Sequence, residues 1–379
     1  MDVEIMRELL ARHEAEPHVT VSEYVSRLTA ELAASMEGKR RLYLDTRYWV
    51  ILRDAAMGRP RTSEHTEILA RLRDLVSAGR AICPISDVAL METLKQSDVS
   101  TRLATASLMD ELGLGIALQD EQSRIRTELE HFLAHPLIHE ATPPLSRVVW
   151  TKAAYALGIS LPMSELLSPE QNRLIQKATV DYFWQSSLLQ HLEDTAAIPS
   201  PSDESMIKTA AKITVDMRTY DHQVKSMKQA FLAEMAGVLR VFSNDIGTLL
   251  LRMHRRQFGH TDVSSEELNR ARDVMTTMLY NLFRLKTDIM SQRAPSMYIY
   301  AMCHAAVRMD RTRKMSSNDL LDIHHASAVG HHDAVFTEKP LQHLLTGGNM
   351  AIDKRFNCTI LWKERDLIEY LTALNSPDA

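Results

Sequence analysis

Cysteine is scarce in this chain. Cys83, Cys303 and Cys358 stand far apart without a CxxC pair, which excludes a disulfide framework and a thiolate zinc site and fits a reducing cytoplasm. Glycine and proline are also few, at 12 and 13 of 379 residues, so low-complexity and turn-rich architectures are excluded and helix should dominate. No apolar run reaches the roughly 18 residues of a membrane span. The opening MDVEIMRELLARHEAE is acidic and amphipathic rather than basic then apolar, so neither export nor membrane insertion is expected and a cytoplasmic location follows. Positive charge is not in excess either. A formal net charge of −5 argues against a protein that coats nucleic acid electrostatically, and any such site must be a local basic groove.

What remains, 45% hydrophobic and 25% charged residues, is an ordinary globular composition long enough for two structural units or one enlarged domain. Residues 1–37 read as helices interrupted near Pro17. The period then changes. RLYLD is short, apolar and β-prone, AICPIS and GIALQ follow as second and third strands, and helices separate them. AVFT and NCTILW supply a fourth and fifth strand late in the chain. Strands alternating with helices imply right-handed crossovers and a parallel sheet, giving an α/β class. This rhythm occupies 38–120 and 296–377. The interval 121–295 reads as an all-helical insertion, with a long amphipathic helix from Met206 to Phe242 and a helical hairpin broken at Gly259–Ser265. Its methionine and aromatic stripes read as helix packing.

In an open parallel sheet, ligands gather outside the carboxyl ends of the strands. Asp45 directly follows the first strand, Glu92 lies in the helix after the second, and Glu338 directly follows the fourth. The helix SSNDLLDIHHASAVG precedes the fourth strand antiparallel to it, which brings Asp319 and Asp322 to the same edge. Converging carboxylates repel and pay desolvation unless a cation joins them. Oxygen-only ligands suit Mg²⁺ or Mn²⁺, ions that activate a water and stabilise the departing oxygen in phosphodiester hydrolysis.

The blocks YLDT at 43–46, PIS followed by Glu92, and NDLLDIHHASAVGHHDAVFTEK at 318–339 resemble the successive motifs of PIN-like domains. The resemblance covers the two α/β stretches, less than half of the chain. It implies a parallel sheet of about five strands in the order 3-2-1-4-5 and a metal-dependent nuclease, usually a ribonuclease. It matches Asp45 to the first-strand aspartate, Glu92 to the helical glutamate and Asp322 to the aspartate ahead of the fourth strand. Asp319 corresponds to an ND pair one turn earlier, and Glu338 replaces the aspartate usual after the fourth strand. Asp45, Glu92, Asp322 and Glu338 are thereby the expected catalytic set, with Asp319 a further metal ligand. Toxin and phage-defence roles are common for such domains in bacteria.

Each signal has a plainer reading. Ser316 and Asp319 form an S-x-x-D capping box, and Glu92 could lie on a solvated face. His324, His325, His331 and His332 come as adjacent pairs, which point in different directions on a helix and favour structural roles over a zinc site. Tyr48 could stack on a base beside Asp45, although packing of it or Trp49 in the core is the commoner outcome. Arg308, Arg311, Arg313 and Lys314 could contact phosphates of the nucleic acid or form a solvated helix end. The competing functional class is a catalytically weakened PIN-like scaffold that binds a protein partner, or a second copy of itself, through the helical insertion.

Overall fold

The computed structural model describes residues 3–134, 143–156, 158–194, 204–219, 224–259, 262–310, 314–348 and 350–376. These form two compact units. The first comprises Met1–Asp120, Ser146–Pro201 and Lys363–Ala379, and the second Glu121–Leu145 and Ser202–Trp362. The class is α/β with helix dominant, and four parallel strands are flanked by helices, two strands in each unit.

In the first unit β1 (Arg40–Leu44) runs parallel to β2 (Ala81–Ile82). Leu42, Tyr43 and Leu44 are consecutive and all buried, the signature of a strand covered on both faces. Beyond β2 the chain continues extended. Ile85 bridges in parallel to Ala117 of β3 (Ile116–Leu118), which puts β3 beside the chain that leaves β2. Gly113 lets this happen, because a Cβ there would lie 2.8 Å from the Cys83 carbonyl oxygen. A strand then appears that the sequence reading did not contain. β4 (Trp150–Lys152) pairs antiparallel with β3, so the interval 121–295 is not wholly helical. Three residues are too short for a period to show, although Val148, Val149, Trp150 and Thr151 are all β-prone.

Helix Ser63–Ser77 buries His65, Ile68, Leu69, Leu72 and Leu75, the three-four spacing of a single buried face, and packs on helix Glu364–Leu374. The helices Val3–His13 and Val21–Ser35 dock on helix Pro169–Gln185 through buried polar groups. His13 and Arg12 pair with Asp181 at 3.0 and 3.3 Å, Tyr24 donates to the same carboxylate, and Lys177 Nζ donates to the Glu16 carbonyl at 2.7 Å.

In the second unit β5 (Ala334–Phe336) lies parallel to β6 (Thr359–Leu361). Its centre is helix Pro295–Met309, buried on nearly every side, which packs on helix Met227–Val241. Phe231 meets Tyr298 and Phe283 at ring distances of 5.4 and 6.3 Å. The expected single helix from 206 to 242 is instead two, Glu204–Thr219 and Met227–Val241. Ser226 explains the division: its hydroxyl accepts from Gln229 N and starts a new helix while the apolar stripe continues. The expected hairpin is present as Ser243–Phe258 and Ser265–Leu285, with Gly259 at φ 78° ending the first and a Ser264–Glu267 capping box starting the second.

Buried polar groups tie helix Glu121–Ala134 to this centre. Arg124 donates to Ser296 Oγ at 2.7 Å and Ser327 Oγ at 2.8 Å, while Glu128 accepts from Ser296 N at 3.2 Å and pairs with His331 at 2.9 Å. Among the described residues, no helix is long and apolar enough to cross a membrane.

Candidate functional site

In the first unit the local sequence places two acids beyond the carboxyl ends of neighbouring parallel strands. β1 ends at Leu44, and Asp45 becomes the N-cap of helix Thr46–Ala56, its Oδ1 accepting from Tyr48 N at 3.3 Å. The carboxylate is thereby fixed at the carboxyl end of a buried strand, itself almost wholly buried. Helix Asp87–Leu94 begins at the same end of β2, with Ser86 as its cap. Ser86 Oγ accepts from Ala89 N at 3.2 Å and lies 3.0 Å from the Tyr43 hydroxyl, which ties this helix start to β1. Glu92, half-buried on that helix, accepts a hydrogen bond from the Thr46 hydroxyl. Thr46 therefore ties the start of the helix that Asp45 caps to Glu92, a link for which the sequence reading named the two acids and missed the threonine. The signal was present, because Thr46 immediately follows Asp45 in YLDT.

In the second unit Asp319 does what its S-x-x-D spacing permits. Its Oδ2 accepts from Ser316 N at 2.8 Å and from Ser316 Oγ at 2.7 Å, while its own N donates to Ser316 Oγ at 3.1 Å. Asp322 is half-buried one turn later on helix Ser317–Ser327. Glu338 follows β5 by two residues at the N-cap position of helix Lys339–Thr346, exposed and making no side-chain cap bond. Asp333 directly precedes β5, at the opposite end from Glu338. Among the described residues, no group of three or more His, Cys, Asp or Glu side chains is gathered as a ready metal cage.

The histidines separate as their spacing implies. His324 Nδ1 pairs with Glu121 at 2.6 Å, His331 with Glu128, and His332 Nδ1 with the Ala328 carbonyl at 2.8 Å, while His325 is buried. Burial works against ionisation of Glu121, but the bond and charge of His324 outweigh it and hold the carboxyl below its ordinary range. Nearby, Tyr300 and His304 have ring centroids 4.6 Å apart. Burial pushes His304 down to about 4, His324 and Arg308 acting in the same direction and Glu121 opposing.

The expected nucleic-acid contacts divide likewise. Tyr48 and Trp49 are both completely buried, so Tyr48 is a core side chain with no ring face open to a base. Arg308 is engaged by Glu234 at 2.5 Å, and Lys314 is exposed. Arg311 and Arg313 lie outside the described residues.

The chain matches no protein-family model, no curated protein and no solved structure.

Proposed function

We propose that this chain is a divalent-metal-dependent endonuclease that hydrolyses phosphodiester bonds, with RNA the substrate favoured by its resemblance to PIN-like domains. The observation that supports this most directly is the hydrogen bond from Thr46, the residue after the helix cap Asp45, to Glu92, both acids lying beyond the carboxyl ends of β1 and β2. The parallel pair of β1 and β2, the bridge from Ile85 to β3, and the parallel pair of β5 and β6 support this reading, as adjacent strands in segments of the PIN-like order would pair in this way.

The donor set fits Mg²⁺ or Mn²⁺, since Asp45, Thr46 and Glu92 offer only oxygens. Asp45 and Glu92 would hold the ion, and Asp322 and Glu338, with Asp319, complete the set that the resemblance assigns. The ion, when bound, supplies an activated water and stabilises the departing oxygen. The helix amide at Tyr48 holds the Asp45 carboxylate and the Thr46 hydroxyl holds that of Glu92, so that binding costs little side-chain ordering.

The second reading, a weakened scaffold, draws on two observations: Asp319 is occupied as a cap, and Glu338 is exposed. One experiment separates them. Incubation of a mixed RNA pool with the full chain and Mn²⁺ is expected to give cleavage that EDTA abolishes and Asp45→Asn reduces by about 100-fold or more. Asn caps a helix as well as Asp does, so this variant should stay folded. Cleavage that survives both treatments would remove the nuclease reading, and an intact RNA pool would leave the scaffold.

A further inference from the structure

β5 and β6 end side by side, and the residues just beyond them are arranged in a way that packing alone does not explain. The register that pairs Phe336 with Leu361 sets Thr337 level with Trp362, and Thr337 N donates to the Leu361 carbonyl at 2.9 Å. Trp362 is half-buried, and the exposed Lys339 holds its Nζ 5.3 Å from the centre of that ring. Lys339 opens helix Lys339–Thr346, at the positive end of the helix dipole, where a cation is unfavourable. Helix stability therefore does not put it there; the ring does. An exposed lysine above a half-buried indole also marks the face of Trp362 that solvent reaches. Gln342 lies one turn into the same helix. Thr337 Oγ1 and Gln342 Oε1 are both buried with no hydrogen-bond partner among the described residues, although such atoms almost always have one.

We propose that Trp362 is a stacking platform for an unpaired base of a nucleic-acid chain, with Lys339 as the contact to the adjoining phosphate. That the ligand is a nucleic-acid chain rests on the nuclease reading above; that it presents an unpaired base follows from the ring. A base inside a duplex has both faces covered by its neighbours and cannot lie on an indole. An exposed cation–π contact is worth about two- to fivefold in an equilibrium, and stacking of a base on an aromatic ring about fivefold or more. A base therefore displaces Lys339 from the ring, and the ammonium on its flexible stem pairs with a phosphate instead. Thr337 Oγ1 and Gln342 Oε1 then gain the N–H and amino donors of a base edge that the protein itself does not give them. Tyr48, wholly buried, offers no such ring. Glu338, which the resemblance assigns to the metal set, directly precedes Lys339, so a chain anchored here brings its backbone to that carboxylate.

The experiment is fluorescence anisotropy of short labelled RNAs with the full chain in EDTA, where metal-dependent cleavage does not occur. Single-stranded oligoadenylate is expected to bind about tenfold more tightly than the same backbone with abasic positions. Trp362→Ala should remove that difference, Trp362→Phe should keep most of it, and a blunt duplex should bind both variants as it binds wild type. Lys339→Gln, at an exposed position, should lower the slope of log affinity against log salt by about 0.7, the loss of one phosphate contact on a single strand. Equal affinity for the adenylate and abasic strands, or a folded Trp362→Ala that still prefers the adenylate, would overturn the proposal. So would adenosine monophosphate competing as well as the strand, which would make the ligand a free nucleotide. The abasic comparison and Lys339→Gln leave Trp362 in place, so they decide the matter even if Trp362→Ala fails to fold. Cleavage in Mn²⁺ without a preference for bases removes this site and leaves the nuclease; Trp362-dependent binding by a chain that leaves RNA intact in Mn²⁺ does the reverse.

Discussion

Thr46 is the residue that anchors Glu92 in the first unit. Its hydroxyl donates to Glu92, and in Thr46→Val the carboxylate keeps its charge and loses that anchor. The expected result is a metal affinity about tenfold weaker, read as a shift in the Mn²⁺ concentration for half-maximal cleavage, with little change in thermal stability. Glu338→Gln asks the complementary question at an exposed carboxylate. If Glu338 is a ligand, metal affinity and cleavage fall together; cleavage like that of wild type would take it out of the set. His304 gives a prediction independent of catalysis. It sits at about 4 in the fold and ordinarily near 6.5, so protons bind the unfolded chain more readily. Its contribution is therefore complete above pH 6.5 and is lost as pH falls toward 4, amounting to at most about 3 kcal/mol. Urea titrations between pH 7 and 4.5 should show wild type losing more stability than His304→Gln, whose side chain has no proton to bind. Equal losses would remove His304 as the cause.

At the level of elements, the capping box of helix Ser317–Ser327 separates two roles for Asp319. Ser316→Ala removes the hydroxyl that both gives to and accepts from it, at a cost of about 1 kcal/mol, or a few degrees in melting temperature. If Asp319 is only a cap, Mn²⁺ affinity stays where it was; if it is a ligand held by its cap, affinity falls as well. Much at this scale was legible beforehand. RLYLD, AICPIS, GIALQ, AVFT and NCTILW each contain a strand, because apolar runs bounded by turns leave little else for the chain to do. The places of Asp45 and Glu92 were legible for a related reason: Asp45 directly follows β1 and caps the next helix, and Glu92 lies on the helix that follows β2. β4 was not, since three residues carry no period, and the break before Ser226 was hidden by a stripe that continues across it. Tyr48 stood in a sequence that suited both core and base, and only its neighbours decided for the core.

For the whole molecule the test of the metal reading is thermodynamic. An ion that binds the folded chain alone stabilises it by about 2.7 kcal/mol at a hundred times its dissociation constant. Millimolar Mn²⁺ should therefore raise the melting temperature of wild type and move Asp45→Asn less; an unmoved wild type would count against the site itself. A different consequence follows from the way the first unit is assembled. Arg80 donates to the Asn375 carbonyl across 295 residues of sequence, and helix Glu364–Leu374 covers helix Ser63–Ser77. At ribosomal speeds of 5 to 20 residues per second that separation is a wait of roughly 15 to 60 s. Asp45 and Glu92 are thus translated long before the helix that completes their scaffold leaves the exit tunnel. A nascent chain stalled at Trp362 carries both acids in a unit that lacks its closing helix, and brief proteolysis of such stalled chains should cut the first unit while sparing it in the released protein.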